Sequence, residues 1–284
     1  MTLVSPSRVI IEPIVRTALL EDLGLAGDLT SASVIPEDHQ TTLAMVGRQP
    51  GTIAGLDAAE LAFSLIDPDI KFERHIRDGH RVSPGDVIAT VSGPARGVLT
   101  GERTALNFLG HLSGIASVTA SLVQAIEGSS ASIACTRKTT PGLRALEKYA
   151  VRAGGGVNHR FALHDAVLIK DNHVAIAGGI LQAIRRAKAG VGHMVKIEVE
   201  VDTLDQLQQA MEEGVDAVLL DNMTCAQLRE AVAMIDGRAI SEASGRVTLS
   251  TVAAIAATGV DLISVGWATH SAPTLDIGLD VVAA

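Results

Sequence analysis

Six short apolar runs in the second half of this 284-residue chain constrain its fold more than any other feature. They are Ser132–Cys135, Ala166–Lys170, Val195–Glu200, Ala217–Asp221, Arg238–Glu242 and Leu262–Gly266. From the second onward, successive runs start about 20 to 30 residues apart. Helical patterns lie between them, as in Thr203–Glu213 and Thr224–Ile235. Strands alternating with helices at this spacing predict a parallel sheet. Six such units favour an α/β barrel closed on itself over an open sheet.

Most of these strands end in a residue capable of chemistry. Lys170 and Asp171 end one, Glu200 another, and Asp221 with Asn222 a third. Glu242 and Ser244-Gly245 follow the next, and Gly266 the last. One charged residue at a strand end is ordinarily a solvated edge. Repetition on successive strands points to one shared site, because barrels gather reactive groups at the C-terminal ends of their strands. Asp22 and Asp28 read as turn and helix-cap residues instead.

The first hundred residues follow another pattern. Asp78-Gly79, Pro84-Gly85-Asp86 and Gly93-Pro94 punctuate short β-type runs such as Val87–Val91, predicting a small α+β domain. A helical pattern over Gly101–Ala120 joins the two parts without a low-complexity linker. The chain is 47% apolar, which supports a substantial core. Aromatic residues are 2% and the net charge is -9, which argues against single-strand stacking platforms and duplex-binding faces. Two distant cysteines, no basic-headed apolar leader and no apolar run near the ~20 residues of a membrane span predict a soluble, cytoplasmic protein.

Against that acidic background, positive charge is concentrated locally. Arg137, Lys138, Arg144, Lys148, Arg152, Arg160 and Lys170 fall within 34 residues and make up seven of the chain's 23 lysines and arginines. Such an island suits a small anion carrying several charges. Arg137-Lys138 follows the first barrel strand, and His159-Arg160 follows the Gly154-Gly155-Gly156 run. Lys170 ends an apolar strand, where its charge needs a partner, with Glu200, Asp221 or a phosphate as candidates. Ser244-Gly245 and Gly266 follow the last two strands, a common place for phosphate in such barrels. His270 is read equally well as a helix-end histidine or a ligand contact.

Together these segments resemble the quinolinate phosphoribosyltransferases. The likeness rests on Thr136–Arg144, Glu147-Lys148-Tyr149, Gly154-Gly155-Gly156, His159-Arg160 and Lys170-Asp171-Asn172-His173. Glu102–Asn107, Glu198-Val199-Glu200, Leu220-Asp221-Asn222, Glu242–Gly245, Ser264-Val265-Gly266, Glu21-Asp22 and Gly27–Thr30 extend it over nearly the whole chain. Cys135, Arg246 and Trp267 depart from the family pattern, which more often has Asp, a small or neutral residue, and a small residue there.

The resemblance implies an N-terminal mixed α/β domain over residues 1–115, with the tail 271–284 packed back on it, and an incomplete α/β barrel over 116–270. It implies a homodimer in which each barrel mouth is closed by the partner's N-terminal part, with Arg103 entering the neighbouring subunit's site. Arg137, His159 and Arg160 are then expected to hold quinolinate, with Lys138 and Lys170 near both substrates. Glu200 and Asp221 are expected by the ribose of phosphoribosyl pyrophosphate and its Mg²⁺. Ser244, Gly245, Gly266 and His270 are expected around the 5′-phosphate. The implied reaction gives nicotinate mononucleotide, pyrophosphate and carbon dioxide.

Within the same fold the nearest rivals are a relative acting on another base and the molybdenum-associated homologues. Against both, Arg103, Arg137, His159 and Arg160 favour quinolinate. Two readings from other classes also compete. Lys170 could be the Schiff-base lysine of a barrel aldolase, which leaves the three arginines unexplained. A non-catalytic phosphate-binding module leaves Glu200 and Asp221 without a role.

Overall fold

The computed structural model describes residues 3–281. Their contacts divide into two compact units. The first comprises 1–120, 139–155 and 268–284, and the second 121–138 and 156–267. The segment 139–155 therefore groups with the N-terminal residues, a membership the linear sequence does not suggest.

The first unit begins with α1 (Arg8–Leu23) and α2 (Leu29–Val34). Then come β1 (Gln40–Gly47), β2 (Gly51–Thr52), α3 (Leu56–Ile66), β3 (Lys71–Arg74), β4 (Arg81–Val82) and β5 (Val87–Pro94). Asp28 caps α2, its Oδ1 accepting from the Ser31 N–H at 2.9 Å. Asp22, expected in a turn, instead lies within the last turn of α1. The punctuated β-type runs form an antiparallel sheet, ordered β12-β1-β5-β3, where β12 is the C-terminal strand Ile277–Val281. Ala89 and Val91 share one face of β5 and are fully buried, and Ile88 is buried on the other face.

The predicted joining helix is longer than expected. It is α4, Ala95–Ala125. By length and composition α4 could cross a bilayer, yet 61% of its most apolar window is buried in the protein's own interior. Leu109, Leu112 and Ile115 recur at helical spacing and are fully buried, the pattern of a core helix.

The second unit carries β6 (Ser132–Ala134), β7 (Val167–Ile169), β8 (Ile197–Val201), β9 (Ala217–Asp221), β10 (Ile240–Ser244) and β11 (Leu262–Ser264). Helix α5 (Arg144–Ala153), which belongs to the first unit, intervenes in sequence after β6. Between the later strands run α6 (Asp171–Ala177), α7 (Ile180–Gly190), α8 (Leu204–Glu213), α9 (Cys225–Ile235) and α10 (Val252–Ala256), and α11 (Trp267–His270) follows β11. Helices α8 and α9 start where the sequence predicts, because Thr203 and Thr224 cap them in reciprocal boxes with Gln206 and Gln227.

All six strands are parallel, in the order β6-β11-β10-β9-β8-β7. Among the described residues β6 and β7 do not pair, so the barrel is incomplete at that seam. Val157 makes an isolated parallel bridge to Ala134 there. Strand β10 sits two residues further on than Arg238–Glu242, which makes Glu242 an interior strand residue instead of a strand end.

Candidate active site

The strand ends of the second unit surround a cavity of about 390 Å³. Arg137, Lys138, His159, Arg160, Lys170, Glu200, Asp221 and Ser244 line it, together with Glu242 and Ser264. Eight of the residues read from the sequence are thus brought to one place. Each strand contributes by its pleat. Residues two apart share a face, so Glu198 and Glu200 on β8, Leu219 and Asp221 on β9, and Glu242 and Ser244 on β10 all face inward.

Gly245 and Gly266 have steric reasons to be glycine. Gly245 adopts φ +100°, and a Cβ there would lie 2.3 Å from Asn222 Oδ1. A Cβ on Gly266 would lie 2.8 Å from the Lys138 side chain. Both loops therefore approach their neighbours as closely as backbone can.

The cationic wall carries unfilled hydrogen-bonding capacity. Arg160 donates from Nη1 to the Ala166 carbonyl at 3.0 Å. The buried Nε atoms of Arg137 and Arg160 have no partner within the protein. Burial and the nearby Arg137 charge push the Arg160 guanidinium below its ordinary value. Two close guanidiniums with unfilled donors, in a chain of net charge -9, are a strong receptor for a carboxylate pair.

In the same cavity Lys170 Nζ meets Glu200 Oε2 at 2.7 Å. Asp221 accepts from the Asn222 amide at 2.5 Å. Glu200 and Asp221 offer oxygen donors only, on adjacent strands and in one cavity, a set that suits a hard cation such as Mg²⁺.

Beneath these groups lies a cluster that the sequence reading missed. His159 Nε2 stands 2.7 Å from Glu198 Oε2 and 3.7 Å from Glu242 Oε2. The Arg160 N–H donates to His159 Nδ1 at 2.7 Å. Glu198 and Glu242 are only 7% and 1% exposed. Burial first, then repulsion from Glu198, pushes the Glu242 carboxyl up to about 7. The signal for both was the period-two spacing from Glu200 and Ser244.

Two expected site residues, Arg103 and His270, group with the first unit. Arg103 is on α4 in the first unit and lines a separate cavity with Glu21, Asp22, Asn107 and His111. Its guanidinium is largely exposed, with Glu102 at 3.9 Å. His270 is exposed, groups with the first unit, and shares a 2.7 Å hydrogen bond with Ser271.

In sequence, residues 28–113 match the N-terminal domain of the quinolinate phosphoribosyl transferases and residues 115–280 their C-terminal domain. A probable nicotinate-nucleotide pyrophosphorylase (carboxylating) of Bacillus subtilis is 45% identical over 262 residues, covering 92% of this chain and 90% of its own. The nicotinate-nucleotide pyrophosphorylase (carboxylating) of Mycobacterium leprae is 46% identical over 272 residues, covering 94% and 95%. In three dimensions, the nicotinate-nucleotide pyrophosphorylase structure from Francisella tularensis superposes with a TM-score of 0.94 at 39% identity, over 99% of each chain.

Proposed function

The chain belongs to the quinolinate phosphoribosyltransferase family, and from that premise we propose how the barrel residues share out the family's reaction. The protein is a pentosyltransferase of NAD biosynthesis. It joins quinolinate to phosphoribosyl pyrophosphate with decarboxylation, giving nicotinate mononucleotide, pyrophosphate and carbon dioxide. The observation that carries the residue roles is the single cavity that brings Arg137, Lys138, Arg160 and Lys170 together with Glu200 and Asp221.

Quinolinate carries two adjacent carboxylates. Arg137 and Arg160 take them, using the Nε donors that the protein leaves unfilled. His159 lies against Arg160 in the same cavity, which Lys170 also lines. Charged hydrogen bonds contribute roughly 1.5 to 3 kcal/mol each, enough to fix the ring's pose. Loss of pyrophosphate leaves positive charge on the ribose. The Glu200 and Asp221 carboxylates stabilise it where it develops. Lys138 and Lys170 draw the negative oxygens of both substrates toward one another. Attack by the ring nitrogen makes a pyridinium, and that nitrogen accepts the electrons released as the neighbouring carboxylate departs.

Glu200 and Asp221 are also the residues that would hold Mg²⁺, which supplies charge compensation for the departing pyrophosphate. The 5′-phosphate is assigned to the loops at Ser244-Gly245 and Gly266 of the second unit. Arg103 is assigned to the partner's site in a homodimer, consistent with its exposed guanidinium. The two free cysteines fit a reducing, cytoplasmic setting.

Incubation of the protein with quinolinate, phosphoribosyl pyrophosphate and Mg²⁺ tests the activity. Nicotinate mononucleotide and carbon dioxide should form in equal amounts. Absence of both, with folded protein, would sink the reading. Borohydride trapping of Lys170 with a carbonyl substrate would favour the aldolase alternative.

A further inference from the structure

Trp267 is the chain's one tryptophan and directly follows Gly266 after β11. Its indole Nε1–H donates to the Val247 carbonyl at 2.8 Å. The bond ties the loop after β11 to the loop after β10. The latter, Ser244-Gly245-Arg246-Val247, has an unusual backbone. Gly245 is at φ +100° and Arg246 at φ +47°. A left-handed arginine is disfavoured by sterics and persists only where its surroundings over-determine it. Arg246 itself is exposed, so its side chain does not supply that constraint. The constraint comes from either side. Before it, the Asn222 N–H donates to the Ser244 carbonyl at 3.0 Å, and Asn222 packs onto Gly245. After it, Val247 is 4% exposed and its carbonyl is held by the indole.

The loops after β9, β10 and β11 are thus latched in series, and the last latch is a side chain. We infer that Trp267 is a positioning residue for the phosphate-bearing substrate: it clamps the Ser244–Val247 loop in its ligand-ready form. The inference rests on the assignment of the 5′-phosphate to these loops. Without the clamp the loop must be ordered when substrate binds, and that entropy is taken from phosphate affinity. Quinolinate, held by Arg137 and Arg160, is served by other elements and should not sense the change.

Because Trp267 is unique, its indole N–H gives a single nuclear magnetic resonance signal of its own. Ribose 5-phosphate titrated into the wild-type protein should move that signal saturably, and quinolinate should leave it in place. In parallel, Trp267→Phe should raise KM for phosphoribosyl pyrophosphate about tenfold, with KM for quinolinate and the melting midpoint nearly unchanged. Calorimetric binding of ribose 5-phosphate with a stationary indole signal overturns the positioning role and leaves the phosphate assignment intact. No calorimetric binding overturns the phosphate assignment, and the inference with it. Equal increases in both KM values also overturn it, since they mark a general structural role. If Trp267→Phe does not fold, the wild-type titration decides alone.

Discussion

Lys170 Nζ and Glu200 Oε2 stand 2.7 Å apart across the paired parallel strands β7 and β8. The pair explains how a lysine can end an apolar strand, and it sets opposite charges side by side where two charged substrates must meet. The lysine side chain is 47% exposed, so the ion pair contributes less than about 1 kcal/mol to stability. Its value is in placement. Lys170→Met should lower kcat/KM at least about 100-fold, the loss of a strong charged contact in the transition state, while the melting midpoint moves little. A large loss of stability with near-normal activity in the remaining folded protein would reverse that assignment.

Arg137 and Arg160 present buried Nε donors that the protein itself does not fill. Arg137→Ala or Arg160→Ala should weaken quinolinate binding by roughly 2 to 4 kcal/mol, since the desolvated carboxylate keeps its cost when its partner goes. Phosphoribosyl pyrophosphate binding should change much less. Calorimetry on each substrate separately makes the comparison. Unchanged quinolinate affinity in both variants would remove the arginines from the carboxylate site.

Glu242 makes stability depend on pH in a defined direction. Its carboxyl titrates at about 7 in the folded chain, against an ordinary value of 4.5, because it is buried beside Glu198. The folded state therefore binds the proton more tightly than the unfolded state does. The resulting stabilisation is complete below about pH 4.5 and is lost as pH rises through about 7. Glu242→Gln keeps the shape and removes the titration. Thermal melts from pH 5 to pH 8 should show the variant gaining on the wild type as pH increases. Parallel curves would mean that Glu198 and His159 absorb the charge without cost.

Much of this was legible in the sequence, for physical reasons that differ by element. Helices α8 and α9 run where the helical patterns of Thr203–Glu213 and Thr224–Ile235 place them, and the structure adds the threonine caps that start them. Strand β9 was bounded correctly because Ala217–Asp221 is an isolated apolar run. Eight of the residues read from the sequence line one cavity, because groups at the ends of successive strands converge in a barrel. Glu198 and Glu242 went unassigned, since sequence alone does not tell a buried carboxylate from a solvated one. Their burial depends on strand register, and β10 begins two residues later than its apolar pattern suggests. The grouping of 139–155 with the first unit was equally hidden. That segment is held by long-range contacts, among them His111 to Glu147 at 2.9 Å and Tyr149 to Asp78 at 2.6 Å.

Arg103 offers a test of assembly. It lies on α4 in the first unit, and its side chain is 65% exposed. If it serves the partner's site, two inactive proteins should repair each other. An Arg103→Ala chain keeps a complete barrel wall, and a Lys138→Ala chain keeps its Arg103. In a hybrid dimer one site collects both defects and the other collects neither. Random pairing makes about half the dimers hybrid, each with one working site, so recovery should approach about a quarter of the wild-type activity per chain. Native mass spectrometry confirms subunit exchange independently of activity. Full exchange with no returning activity would mean that Arg103 serves its own subunit or neither, and the shared site would have to be abandoned.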